Sequence, residues 1–307
     1  MLLTVVYAVL YVGFVRVNAS THVSIARPPV VAHSSAAPAR LDEWRAGYWH
    51  GRVTATTSRS TARGMLLQTV VFTAAAIALL VLRSADPTAQ LAVLALALSG
   101  VAGGGPLFGA ESLLPFQLWR VMTVFSWLAG PVAFPVIALA ILYFPSPSPL
   151  VRRLPWLRAI AFAAAAPMLI LSAATSLYLV GVDGLRPIAV WDAVHPAAYF
   201  GSFAAALALN VAAVAEGIYR YRVNHAANER RRIRMAVYTV VPGVFAYAVK
   251  EGGPIVAGLM GRTLPAFPWM ATAAMQAFVL LPAFGLPYAV GVARVLGPAF
   301  VLRRGLQ

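Results

Sequence analysis

Long apolar runs, nearly free of charge, follow one another along most of the chain. A helix that crosses a bilayer needs about 20 predominantly apolar residues. Eight stretches approach or meet that length: residues 2–18, 65–82, 90–110, 121–144, 159–181, 196–219, 235–260 and 268–291. The first is short and is interrupted by Arg16. All are too long and too uniformly apolar for barrel strands, which show about ten residues of alternation. In hydrocarbon the backbone has no water to bond to and must satisfy itself within each segment, which a helix does. The predicted fold class is an all-α integral membrane protein. It is a bundle of about eight transmembrane helices, a seven-helix core plus an N-terminal helix.

Composition agrees. Hydrophobic residues make up 61% of the 307 and charged residues 11%, against about 25% charged in a soluble domain. A soluble fold is disfavoured and a disordered chain is excluded. There is no cysteine, so disulfides and thiolate metal sites are excluded. The net charge is +15. Nucleic-acid binding is one reading of such an excess, but the arginines sit in short loops between apolar runs, with no basic helix or aromatic platform to meet a nucleic acid. The partner implied is the lipid bilayer.

The distribution of arginines predicts the topology. Arg152, Arg153 and Arg158 fall in one connection, and Arg220, Arg222, Arg230, Arg231, Arg232 and Arg234 in another. Arg294, Arg303 and Arg304 fall in the tail. With eight crossings these three segments share a side, and the opposite short loops carry only Arg120, Arg186 and Arg262. Cytoplasmic loops are enriched in arginine and lysine, so the C-terminus is expected to be cytoplasmic. Arg152, Arg153, Arg220, Arg222, Arg230, Arg231, Arg232, Arg234, Arg303 and Arg304 are expected to form a cytoplasmic basic rim against anionic lipid. Four regions follow. Residues 1–18 are a first transmembrane helix or signal anchor. Residues 19–63 are a largely flexible extracytoplasmic segment, 64–291 the seven-helix bundle and 292–307 a cytoplasmic exit segment.

Polar groups within the apolar runs are costly and are the candidates for function. Asn210 and Glu216 lie in the sixth run, Lys250 and Glu251 in the seventh. They are read either as a sensing or relay site or as a buried contact between two helices. Gly103, Gly104, Gly105 and Pro106, and again Gly252, Gly253 and Pro254, are candidate helix breaks. Such breaks can line a transporter cavity or simply allow close packing. No nucleophile elbow, zinc-protease helix or phosphate loop is present. No catalysis, cofactor or metal is expected of this chain.

Four stretches in order carry a resemblance. They are Leu82-Arg83-Ser84-Ala85-Asp86-Pro87-Thr88-Ala89-Gln90, then Tyr143-Phe144-Pro145-Ser146-Pro147-Ser148-Pro149-Leu150 followed by VRRLPWL. Next come Asn228-Glu229-Arg230-Arg231-Arg232-Ile233-Arg234 and the closing LPYAVGVARVLGPAFVLRRGLQ. Over roughly residues 80–307 the chain resembles the N-terminal multi-pass membrane sensor region of bacterial histidine kinases and related membrane-tethered serine phosphatases. The resemblance implies a sensor and signal-transduction module in a bacterial inner membrane, working as a homodimer with a cytoplasmic transmitter or response-regulator partner. Relatives continue into a catalytic region where this sequence reaches Gln307, so the chain is expected to be a sensor without its kinase or phosphatase. The alternative expectation is a small-molecule transporter or channel whose path uses the polar residues of the sixth and seventh runs.

Overall fold

The computed structural model of the chain describes residues 1, 5, 9, 59–104, 116–179, 183–185, 187–188, 196–223, 226–249 and 269–292. Among the described residues the regular structure is helical, with no strand. Seven long helices follow in order: α1 (Arg59–Arg83), α2 (Pro87–Gly104), α3 (Phe116–Tyr143), α5 (Leu157–Leu179), α6 (Pro196–Val223), α7 (Ala227–Tyr247) and α8 (Trp269–Pro287). A five-residue helix, α4 (Pro149–Arg153), lies between α3 and α5, and α8 continues into a π-helical turn, Tyr288–Val292.

Five of the seven, α1, α3, α5, α6 and α8, are long and apolar enough to cross a membrane. The apolar part of α2, Pro87–Ala102, is shorter, about 24 Å at 1.5 Å per residue. α7 opens with its arginine cluster and so falls outside the five. Among the described residues five of the eight expected crossings thus have the length and apolarity, and the count of eight is not confirmed. The first predicted run lies almost wholly outside them, as do the tail after Val292 and most of 19–58.

The helices overrun the apolar runs that announce them. α1 begins at Arg59, inside the segment expected to be flexible, and α6 carries Arg220 and Arg222 in its last turn. Arg230, Arg231, Arg232 and Arg234 belong to the first turns of α7. What reads as a fifteen-residue arginine loop is thus two helix ends with a short connection. The cause is that hydropathy marks where a helix meets lipid, whereas arginine is itself a good helix former and lets the helix continue past that boundary.

Two of the connections are capping devices. Asp86 accepts a hydrogen bond from the Thr88 backbone N–H at 2.9 Å and Pro87 opens α2. Gln90 reaches back to donate to the Ser84 carbonyl at 2.8 Å. Ser148 does the same for α4, accepting from the Val151 N–H at 3.2 Å ahead of Pro149. An oxygen side chain at the cap followed by proline at the first helical position satisfies an orphan donor and presets the backbone. The Asp-Pro and Ser-Pro dipeptides of the sequence therefore have a local physical role.

The long helices close a ring. α1 packs on α2, α2 on α3, α3 on α6, α6 on α7, α7 on α8 and α8 back on α1, while α5 lies outside against α3 and α6. Packing is inverted relative to a soluble bundle. The buried side chains are mostly Ala, Val and Leu with Ser, Thr, Gln68 and Asn210 among them. The outer surface carries large apolar groups such as Val81 at 78% exposed and Phe245 at 70%. Small residues at helix contacts and apolar groups outside are what lipid as the surrounding solvent selects.

Among the described glycines the closest approaches are between α7 and α8. A Cβ at Gly243 would stand 2.7 Å from Pro282 Cγ, and one at Gly285 would overlap the side chain of Thr239. Among the described residues six prolines sit within helices, Pro131 and Pro135 in α3, Pro167 in α5, Pro242 in α7, and Pro282 and Pro287 in α8. Each removes one backbone hydrogen bond and opens the helix locally.

Candidate functional site

At the centre of the ring is a cavity of about 90 Å³, lined by side chains from all six ring helices, among them Phe72, Leu96, Phe134, Asn210, Val244 and Pro282. Its wall is apolar apart from Asn210 and, from α1 and α2, Gln68 and Ser99. Asn210 is 1% exposed. Its Nδ2 donates to the carbonyl of Ala206 on its own helix at 2.9 Å and to that of Phe134 on α3 at 3.2 Å. Phe134 precedes Pro135, in the turn where α3 is opened by two prolines. Phe134 also packs edge-to-face on Phe203 of α6, with centroids 5.5 Å apart. The two carbonyls fix which way the carboxamide points, since only its nitrogen can donate. Its Oδ1 is left buried without a hydrogen-bond partner among the described residues. A buried acceptor in that state costs about 1–3 kcal/mol.

Beside the cavity a polar seam joins α1, α2 and α8. Gln276 Nε2 lies 3.3 Å from both Gln68 Oε1 and the Gly64 carbonyl. Gln68 Nε2 donates to the Ser99 carbonyl at 3.4 Å, and Thr69 Oγ1 to that of Gly100 at 3.0 Å. Sequence reasoning passed over Gln68 and Gln276. Both are amides within apolar runs, the signal that singled out Asn210.

The second constellation is at one end of the bundle. Arg220 of α6 is 6% exposed. Its Nη1 donates to the Phe144 carbonyl at 2.9 Å, and its Nη2 to the Ser146 carbonyl at 2.8 Å and to Ser146 Oγ at 3.3 Å. Arg232 of α7, also 6% exposed, lies over the Phe144 ring at 4.9 Å. Its Nε donates to the Ala289 carbonyl in the π-helical turn after α8, at 3.1 Å. Phe144 is thus held through its carbonyl by one arginine and through its ring by another. The peptide bond that follows it, to Pro145, is cis. Arg231 donates to Tyr288 Oη at 3.0 Å, and Arg230 lies over the Tyr221 ring at 5.1 Å. Arg158 lies over Tyr143 and donates to its hydroxyl. Glu216, half-buried one turn before Arg220, and Glu229 supply the negative charge that acts on Arg220.

These contacts bring the ends of α3, α6, α7 and α8 together, so Arg152, Arg153, Arg220, Arg222, Arg230, Arg231, Arg232 and Arg234 do share one end of the bundle. They are not uniformly a solvated rim. Arg220 and Arg232 are buried clamps, because a planar guanidinium can satisfy backbone carbonyls in a tight loop where a solvated charge could not sit. Arg152 donates to the Pro147 carbonyl at 3.1 Å and is exposed, as are Arg153, Arg222, Arg230, Arg231 and Arg234. Arg303 and Arg304 lie outside the described residues.

The predicted intramembrane group divides. Asn210 lines the cavity and Glu216 does not. They are separated by about 9 Å along α6 and turned to different faces of it. Lys250 and Glu251 lie outside the described residues, as do Gly105, Pro106, Gly252, Gly253 and Pro254. Gly103 and Gly104 are the last two residues of α2, so the described part of that glycine run is a helix end. No protein-family model, curated protein or solved structure matches the chain.

Proposed function

We propose that the chain crosses a bacterial inner membrane as a seven-helix core joined to an N-terminal crossing, with its arginine-rich end in the cytoplasm. In this reading it senses a signal in the membrane and passes it to a cytoplasmic kinase or phosphatase region, working as a homodimer. The observation that supports it is the bond from Arg232 to the Ala289 carbonyl. Through it the loop after α3, the start of α7 and the segment leaving α8 form one unit, so a shift within the bundle displaces whatever follows Val292. Exposed arginines around that unit hold the surface of an anionic leaflet, at about 1 kcal/mol each.

A reporter kinase fused after Gln307 tests transmission. Arg232→Ala is expected to change basal reporter output at least about threefold at equal protein level, with Arg222→Ala, an exposed neighbour, as the control. Equal output from both variants and the parent would overturn the reading. Orientation is tested separately, and the cysteine-free sequence makes the background silent. Arg222→Cys and Leu306→Cys are expected to react with a membrane-impermeant maleimide only from the cytoplasmic side. Gly184→Cys, exposed after α5, is expected to react only from the other side. The central cavity favours a second reading, a small-molecule transporter or channel. Saturable flux into liposomes that is lost in Asn210→Leu would put transport in place of sensing.

A further inference from the structure

We propose that Arg158, Arg230 and Arg231, each held against a tyrosine at the arginine-rich end of the bundle, are seats for the phosphate groups of anionic phospholipids. This rests on the reading that this end lies at the surface of an anionic leaflet, and it names which arginines bind there and why.

Three observations define the seats. The first is the pairing. Arg158, at the start of α5, lies over the ring of Tyr143 at the end of α3, 5.0 Å from its centroid, and donates to its hydroxyl. Arg230 of α7 lies over Tyr221 in the last turn of α6 at 5.1 Å. Arg231 donates to the hydroxyl of Tyr288, directly after α8, at 3.0 Å. In each pair one helix end supplies the tyrosine and a different helix the arginine. Tyrosine settles at the level of the headgroups, so the guanidinium it holds stands at the depth of the phosphates. The second is what the pairing leaves over. All three arginines are exposed. Among the described residues Arg158 and Arg231 commit one N–H each and Arg230 commits a face, while a guanidinium carries five N–H groups. The planar fork that remains matches a phosphate, and the tyrosine has already removed part of the side-chain freedom that binding would otherwise cost. The third is the apolar surface beside each pair. Ile160 after Arg158, Ile218 before Tyr221 and Phe284 before Tyr288 are exposed, each about one helical turn or less toward the middle of its helix. An acyl chain below a phosphate covers such surface, whereas a free phosphate or a soluble polyanion leaves it bare. The partner is therefore an amphiphile.

The test uses the full chain in neutral detergent, titrated with phosphatidylglycerol or phosphatidylcholine, with bound lipids counted by native mass spectrometry. About three phosphatidylglycerols are expected to bind at least about fivefold tighter than phosphatidylcholine, whose choline offsets the phosphate charge. Two triple variants keep the net charge. Arg158→Lys with Arg230→Lys and Arg231→Lys is expected to weaken phosphatidylglycerol at least about fivefold, because an ammonium has neither fork nor stacking face. Arg153→Lys with Arg222→Lys and Arg234→Lys changes exposed arginines of the same end that stack on no tyrosine among the described residues. It is expected to stay within about twofold of the parent, since a diffuse attraction depends on charge alone. Arg230→Lys by itself, which breaks no side-chain hydrogen bond among the described residues, is the second route should the first triple not fold. It is expected to lose one tightly bound lipid. Equal affinity of the parent for the two lipids would overturn the leaflet reading and the seats with it. Equal weakening by the two triples would leave the leaflet reading standing and overturn the seats. Displacement of phosphatidylglycerol by millimolar inorganic phosphate at constant ionic strength would make these general anion sites and overturn the lipid as their occupant.

Discussion

Gly285→Ala is expected to cost the folded bundle about 3 kcal/mol or more, read as a large drop in melting temperature and loss of monodisperse protein in detergent. A single methyl has this effect because of where it lands. The new Cβ would overlap Oγ1, Cγ2 and Cβ of Thr239 on α7, and Thr239 cannot turn away. Its hydroxyl donates back to the Met235 carbonyl at 2.9 Å and to that of Ala236 at 3.2 Å, and a β-branched side chain has little χ1 freedom in a helix. The clash reaches Cβ, so rotation alone does not relieve it and the helices must separate. Overpacking a close-packed contact usually costs about 1–3 kcal/mol, and this case belongs at the top of that range. Separation would also open the close approach of Gly243 to Pro282, one turn along α7, and forfeit its packing. Thr239→Gly removes all three overlapping atoms, and in the double variant it is expected to restore most of the melting temperature lost to Gly285→Ala. If the double variant melts no higher than Gly285→Ala alone, the contact is not what limits the crossing.

The second large effect is at Arg220. Arg220→Ala is expected to lower stability by about 3 kcal/mol, because hydrogen bonds from a charged donor contribute about 1.5–3 kcal/mol each and its removal strands the Phe144 and Ser146 carbonyls in a buried loop. Part of the gain is offset in the native protein by the cost of burying the guanidinium, which is why the three bonds do not simply add. Arg220→Lys separates charge from geometry. An ammonium is a point charge with no planar fork, so it is expected to hold one carbonyl and recover less than half the loss. Arg222→Ala, two residues on and exposed, is expected to stay within about 0.5 kcal/mol of the parent. A melting profile in which Arg220→Ala and Arg222→Ala coincide would show that the clamp carries no stability.

The comparison of sequence with structure turns on what each interaction leaves in the residue string. Five of the apolar runs are helices long enough to cross a membrane, because length and apolarity are summed over many residues and survive local exceptions. Asn210 was legible as a group worth attention because a polar amide in an apolar run is costly wherever it points. Its partners were not, since both are backbone carbonyls and any residue has one. The same limit explains the arginine end. Ten arginines read alike as a basic rim, yet Arg220 and Arg232 are buried while Arg222 and Arg234 face outward. What distinguishes them is the path of the Phe144–Ser146 loop and the position of Ala289, which no spacing records. Helix ends were misjudged for a simpler reason. The apolar pattern stops at the first charge, whereas α1, α6 and α7 keep their backbone hydrogen bonds beyond it.

The place of α5 outside the ring has a bearing on how the interior communicates with its surroundings. Among the described residues, a single layer of side chains separates the hollow from the exterior along α1, α2, α7 and α8. Behind α3 and α6 that layer is doubled by α5. Among the described residues the wall is thus doubled on one flank and single on the other, and a small solute crossing it would meet less resistance on the side that α5 does not cover.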